Sequence, residues 1–140
     1  MRENFSSAFE ALVCTRQACE LVGGSALARP EDIEIHPKTG DVYVSLTNNK
    51  SRGNYYGSLL RLQPRDRDHL SDEFHAEEWM MGGEETGFAS PDNLAFDSQG
   101  NLWMCTDMSG GKPYQNFGRN ALFVFPAAGK NAGEPQLVAV

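Results

Sequence analysis

The sequence predicts an all-β fold, a β-propeller fragment of about two four-stranded antiparallel blades with an N-terminal helix. Three observations predict it. First, "ARPEDIEIHPKTGDVYVSLTNN" (28–49) returns as "ASPDNLAFDSQGNLWMCTDM" (89–108): proline, acid, apolar strand, polar turn, second strand. Second, two further apolar stretches follow each copy, so each cycle carries four strands. Third, long polar segments gather at one end of each cycle and minimal turns at the other. A restart with a near-identical first hairpin favours radial repetition over an eight-stranded sandwich or barrel, which rarely repeats internally. The repeat spacing, Pro30 to Pro91, exceeds the roughly 40–50 residues of simple propeller repeats because the loops are long.

The expected organisation is a helical segment over 1–27, a first blade over 28–88 and a second blade over 89–140. Ser7 to about Leu21 reads as one helix. Ser7 and Glu10 fit the S-x-x-E capping box, Phe5, Phe9, Leu12 and Val13 recur at helical spacing, and Gly23 and Gly24 supply the stop. Its apolar face implies docking on something larger. After Pro30 the period changes to two: "DIEIHP" and "DVYVSLT" alternate around a "HPKTGD" turn. "GSLLRLQP" is a third strand and "FHAEEWMM" a weaker fourth. The second cycle runs "NLAFDS", "LWMCTD", "ALFVFPA" and "PQLVAV". Tyr43, Phe96 and Trp103 are expected between the blades. Two blades do not close a ring, since propellers use about 4–8. The chain is therefore expected to belong to a larger propeller or to complete itself by association, with apolar faces bare.

Composition narrows function by exclusion. The 140 residues carry a formal charge of -7, with no Lys/Arg cluster of the kind phosphate backbones need. No apolar run reaches the roughly 20 residues of a membrane helix, and the polar start does not resemble a signal peptide. Cys14, Cys19 and Cys105 are odd in number and contain no CxxC, against a disulfide framework or zinc site. His36, His69 and His75 read as packed or solvated side chains. No Ser-His-Asp order or nucleophile elbow is present.

Strand order supplies an address for the acids. The long loops "TNNKSRGNYYG" and "TDMSGGKPYQNFGRN" share their end with "RPED" and "SPDN". The first strand of a blade is its innermost, so both Pro-acid segments are expected at the channel mouth. Glu31 and Asp92 are equivalent, with Asp32 and Asn93 beside them. Carboxylates from several blades on one axis suit a hard cation such as Ca²⁺, which takes six to eight oxygens. The competing reading is that an acid after proline only caps a turn. Arg29 stands where the second copy has Ser90; it fits an anion held in a bidentate fork, or a salt bridge to Glu31. Asn48, Asn49, Lys112, Tyr114 and Arg119 lie on the same loop-rich end, with Asn48, Lys112 and Arg119 as weak substrate-contact candidates. Asp107 is expected to lean toward the mouth, with Asn48 as its counterpart.

At "ARPEDIEIHPKTGDVYVSLTNN" and "FASPDNLAFDSQGNLWMCTD" the sequence resembles the PhoX-type alkaline phosphatases. The resemblance covers nearly the whole chain, including "TRQACELVGGSALARPED" in the helical segment. It implies a six-bladed propeller of several hundred residues that hydrolyses phosphate monoesters at a cluster of calcium and iron ions. It also implies export by the twin-arginine route to the periplasm or beyond. By the same resemblance Glu31 and Asp92 fall on metal-site positions and Arg29 on a phosphate contact. The family's iron-binding cysteine has no match in Cys14, Cys19 or Cys105, so the chain alone is expected to be inactive. Two other readings stand beside this one. The first is a calcium-dependent sugar-lactone hydrolase of the gluconolactonase type, for which a cation beside the acid has no purpose. The second is a non-catalytic binding propeller.

Overall fold

The computed structural model describes residues 5–140. The helical segment is two short helices, α1 (Ala8–Val13) and α2 (Thr15–Leu21), rather than the single helix expected. The break is at Cys14, whose backbone leaves helical geometry. There the Thr15 hydroxyl donates to the Leu12 carbonyl, a local bond that competes with the helical ladder. The cap is present in altered form. Ser7 Oγ accepts from Glu10 N at 3.1 Å, and the Glu10 carboxylate reaches Ser6 N at 2.7 Å. Neither helix has a buried residue, and Phe9 remains 75% exposed.

Eight strands follow: β1 (Pro30–Ile35), β2 (Val42–Leu46), β3 (Ser58–Pro64), β4 (Phe74–Met81), β5 (Pro91–Phe96), β6 (Leu102–Thr106), β7 (Leu122–Phe125) and β8 (Gln136–Ala139). They form two antiparallel sheets in the orders β1-β2-β3-β4 and β5-β6-β7-β8, the meander of a propeller blade. The predicted strands correspond to these in number and order. The weaker "FHAEEWMM" stretch is a strand of 8 residues.

The sheets stack face to face with β5 against β1 and β2. Side chains alternate along a strand, and residues opposite one another share a face. Tyr43, Ser45 and Leu59 thus turn toward the second sheet, which meets them with Leu94, Leu102, Met104, Phe123 and Phe125. Tyr43 packs edge-on against Phe96 at 5.2 Å, and Trp79 lies 5.3 Å from Phe125. Trp103 does not join this core. It pairs with Val124 on the far face of its sheet, and its Nε1 donates to Asp97 at 3.2 Å. An odd position on β6 cannot share a face with Leu102 and Met104.

The short turns close the other end. His36 Nδ1 accepts from the backbone of Lys38 and Thr39, and its ring packs on Phe96 at 4.8 Å. The Lys38 ammonium reaches the Gln99 carbonyl and ties the two turns together.

Candidate active-site mouth

Each Pro-acid segment is a β-bulge. Pro30 faces Leu46 and Asp32 faces Ser45, which leaves Glu31 as the extra residue of β1. Pro91 faces Thr106 and Leu94 faces Met104, so Asp92 and Asn93 share one partner position. Bulges of this kind re-aim side chains. The residue before each proline is left-handed: Arg29 at φ 55° and Ser90 at φ 54°. Positive φ is uncommon for non-glycine residues, and here it recurs at equivalent positions. The reversed backbone lets the Arg29 carbonyl accept from Thr47 N at 3.1 Å and the Ser90 carbonyl from Asp107 N at 2.9 Å. These matched bonds make Thr47, not Asn48, the counterpart of Asp107.

The four acids of the mouth have different tasks. The exposed Glu31 is paired with Arg29, Oε1 to Nη2 at 2.8 Å, with the arginine side chain 60% exposed. Asp32 is a cross-blade pin: Oδ2 accepts from Leu94 N at 2.7 Å and Oδ1 from Ile33 N at 2.9 Å. Asp92 is half-buried, and its carboxyl is pushed above the ordinary carboxylate range. Desolvation is the main cause, helped by Glu31 and Asp107 and opposed by Arg29. Asp107 is exposed and lies near Asn120 Nδ2, at 3.5 Å. Burial and the neighbouring carboxylates thus both disfavour the ionised form of Asp92.

The difference between the two motif copies has a packing cause. Ser90 is fully buried, and its N–H donates to the Tyr56 carbonyl of the first blade at 2.8 Å. An arginine there would have to thread through the joint between blades. Arg29 occupies the same motif position on the free side of the first blade and keeps its guanidinium in water.

The weaker candidates separate. Asn48 is only 5% exposed, which leaves little of it for a substrate. Asn49 bridges to Asn54 within its own loop. Lys112 is exposed at the start of a 3-10 turn, Lys112–Phe117. Tyr114 is buried, and its hydroxyl donates to the Tyr55 carbonyl at 3.0 Å. Arg119 is exposed at the rim of a cavity of about 310 Å³ that also contains Phe88, Ala89, Thr106 and Phe123. Arg29, Glu31 and Asp92 do not line this cavity.

Three features were not signalled by sequence. The Thr47 and Ser90 hydroxyls are buried with no hydrogen-bond partner among the described residues; Thr47 N donates to the Arg29 carbonyl, and Ser90 lies two residues before Asp92. Lys50 clasps the two long loops, with Nζ 2.8 Å from Ser109 Oγ and 5.6 Å from the centre of the Tyr114 ring. Gly57 passes so close to the Leu46 and Thr47 carbonyls that a Cβ there would lie 2.2 Å and 2.3 Å from them.

Oxygen donors of this kind suit a hard cation in type but not in number. Among the described residues no three His, Cys, Asp or Glu side chains converge closely enough to hold a metal. Cys14 and Cys19 are free thiols of the helical segment, and Cys105, also free, stands on β6 opposite the Asp92/Asn93 bulge.

Comparison with known proteins agrees with this geometry. The family profile described as alkaline phosphatase PhoX matches residues 2–138. No curated protein sequence matches. Among solved structures the chain is similar to Pseudomonas fluorescens PhoX in complex with vanadate, a transition state analogue. The TM-score is 0.85 at 30% sequence identity, over 97% of this chain and 29% of that one. The chain therefore spans less than a third of the solved relative. A match over nearly the full length, on two blades with a bulged acid at each inner strand, shows that this chain belongs to the PhoX alkaline phosphatase family.

Proposed function

We propose that these two blades form part of the phosphate-binding mouth of an exported, metal-dependent phosphomonoesterase. The observation that carries this reading is the Arg29–Glu31 pair beside the crowded Asp92 at the loop-rich end. An exposed ion pair contributes only about 0–1 kcal/mol, so Glu31 releases the guanidinium easily. Arg29 can then donate two parallel N–H groups to phosphate oxygens and stabilise the charge that develops there. Glu31 and Asp92 would hold the metals, calcium and iron by family resemblance, with further ligands from outside the described residues. Such ions would supply Lewis-acid polarisation of the phosphoryl oxygens. Asp32 belongs to the scaffold, because both its oxygens are committed to backbone N–H groups.

The described residues supply too few donors for a metal site, and these two blades alone are expected to show no phosphatase activity. The test is hydrolysis of p-nitrophenyl phosphate by a complete propeller carrying these blades, with calcium and iron supplied. Glu31→Gln and Arg29→Ala should each lower kcat roughly 10²–10³-fold, the range for losing one preorganised charge-stabilising group. Full activity in both variants would remove the pair from the site. Lactone hydrolysis with calcium alone, and no phosphatase activity, would move the chain to lactonase chemistry.

A further inference from the structure

The long loop between β6 and β7 reaches across the joint to the first blade. The Tyr114 hydroxyl donates to the Tyr55 carbonyl at 3.0 Å, and Phe117 packs on Tyr56 with ring centres 5.2 Å apart. Against this loop lie two cavities, of about 310 Å³ and about 570 Å³. Met108 and Arg119 line both, so the two adjoin as one cleft with the arginine at its waist. The cleft is not part of either outward sheet face. Phe88 and Phe123, which line its smaller end, belong to the joint core. Thr106 shares a side of β6 with Met104, and Leu137 pairs with Phe123, so both lie on the joint side as well. Its walls come from the two blades described above.

The two ends of the cleft differ in chemistry. The smaller is walled by Phe88, Phe117 and Phe123. An apolar cavity of about 150 Å³ already accepts a benzene ring, so this end has room for an aromatic group. The larger end is bounded by Asn120, whose amide lies 3.5 Å from Asp107. Asp107 in turn is one of the charges acting on Asp92. The cleft therefore leads from the mouth acids to an aromatic-walled end. Arg119 stands between the two, exposed and in no salt bridge among the described residues. An unpaired guanidinium beside apolar walls favours an anion attached to an apolar body. A neutral apolar ligand would use only the walls, and a bare inorganic anion only the arginine.

We propose that this cleft holds the alcohol part of the phosphate ester, and that Arg119 selects esters whose alcohol is an aromatic body carrying a second negative charge. The inference rests on the phosphate site proposed at Arg29 and the mouth acids, and adds a specificity-determining residue to it. The aromatic body lies against Phe88, Phe117 and Phe123, and its anion pairs with the guanidinium. Asp92 and Asp107 repel that second charge from the mouth, so attraction at Arg119 also fixes which way the substrate points.

The test compares two esters, 4-methylphenyl phosphate and 4-(carboxymethyl)phenyl phosphate, on a complete propeller carrying these blades with calcium and iron supplied. The methylene keeps the carboxylate from altering the leaving group, so the ratio of the two kcat/KM values reads the contact with the second charge. The parent should favour the carboxymethyl ester. Arg119→Gln should lower that ratio roughly 3–10-fold, mainly through KM, the scale of a charge-assisted pair that water still reaches. Hydrolysis of the methyl ester should stay within about twofold, because Arg119 is exposed and its loss leaves the fold intact. Arg119→Lys should keep most of the preference, and high salt should narrow it. An equal ratio in the parent and Arg119→Gln would overturn the proposal. So would an Arg119→Gln variant that slows both esters alike, which would make the residue structural. Arg29→Ala separates the two readings, since it should slow both esters to the same degree. If it slows neither, the mouth assignment fails, and the Arg119 ratio still decides this subsite.

Discussion

Replacing Asp32 with alanine removes the acceptor that joins the first strands of the two blades. Its Oδ2 takes the Leu94 N–H at 2.7 Å, and its Oδ1 takes the Ile33 N–H at 2.9 Å. Leu94 is 5% exposed, so its orphaned N–H finds no water. A buried donor left unpaired costs about 1–3 kcal/mol, and a bond to a charged acceptor lies in the upper half of that range. Ile33 is 62% exposed, and water replaces the second bond at little cost. The Asp32 N–H keeps its own bond to Ser45 Oγ. Asp32→Ala should therefore lose about 2–3 kcal/mol and Asp32→Asn about 1 kcal/mol, since one amide oxygen can still accept from Leu94. The assay is urea unfolding without metal, followed by the fluorescence of Trp79, which packs against Phe125 across the joint. Protein is kept dilute enough to stay monomeric. The reasoning fails if Asp32→Ala matches the parent without metal and differs only when calcium is added. That result would make Asp32 a ligand rather than a pin.

Two further perturbations test the scaffold. Gly57→Ala places a Cβ 2.2 Å from the Leu46 carbonyl, at a backbone φ of +74°. Backbone atoms on both sides cannot move aside, so a loss above about 3 kcal/mol is expected, read as a fall in the urea midpoint or failure to fold. Asp97 tests acid stability. Its carboxylate accepts from Asn101 Nδ2, Trp103 Nε1 and the backbone of Asn101 and Gln99, which lowers its pKa from 3.8 to about 2. The folded value lies below the unfolded one, so its contribution is present above about pH 4 and is lost as pH falls through about 2. Asp97→Asn should flatten the stability curve over that interval; an unchanged curve would assign the acid dependence to other carboxylates.

The blades were legible because two signals agreed, alternation along each strand and recurrence of the whole hairpin. Even the weak fourth strand formed, since β3 offered an unpaired edge. Failures came where neighbours decide. Trp103 was expected in the joint on hydrophobicity alone, yet its position on β6 faces away from Met104. The helix broke at Cys14 because the Thr15 hydroxyl competes for the Leu12 carbonyl, a contact no periodicity reports. Asp32 looked like one more mouth acid. Its role became visible only when the bulge placed it opposite Ser45 and against Leu94.

The paired strain at Arg29 and Ser90 separates scaffold from chemistry. A non-glycine residue held at positive φ costs about 1–3 kcal/mol, and a following proline disfavours helical geometry further. Both copies retain this strain, but only one has an arginine. The strain therefore cannot exist for the sake of the guanidinium. What the copies share is its structural product: a carbonyl turned to accept from Thr47 or Asp107, and a bulge that places an acid just after the proline. The blade motif fixes that geometry wherever it recurs. Arginine is possible only where the motif meets solvent, because in the second copy the same position lies under the Tyr56 carbonyl with no exposure. An arginine is thus confined to the one copy whose strained residue is free, and that copy is where the proposed function sets the anion-binding group, at Arg29 beside Glu31.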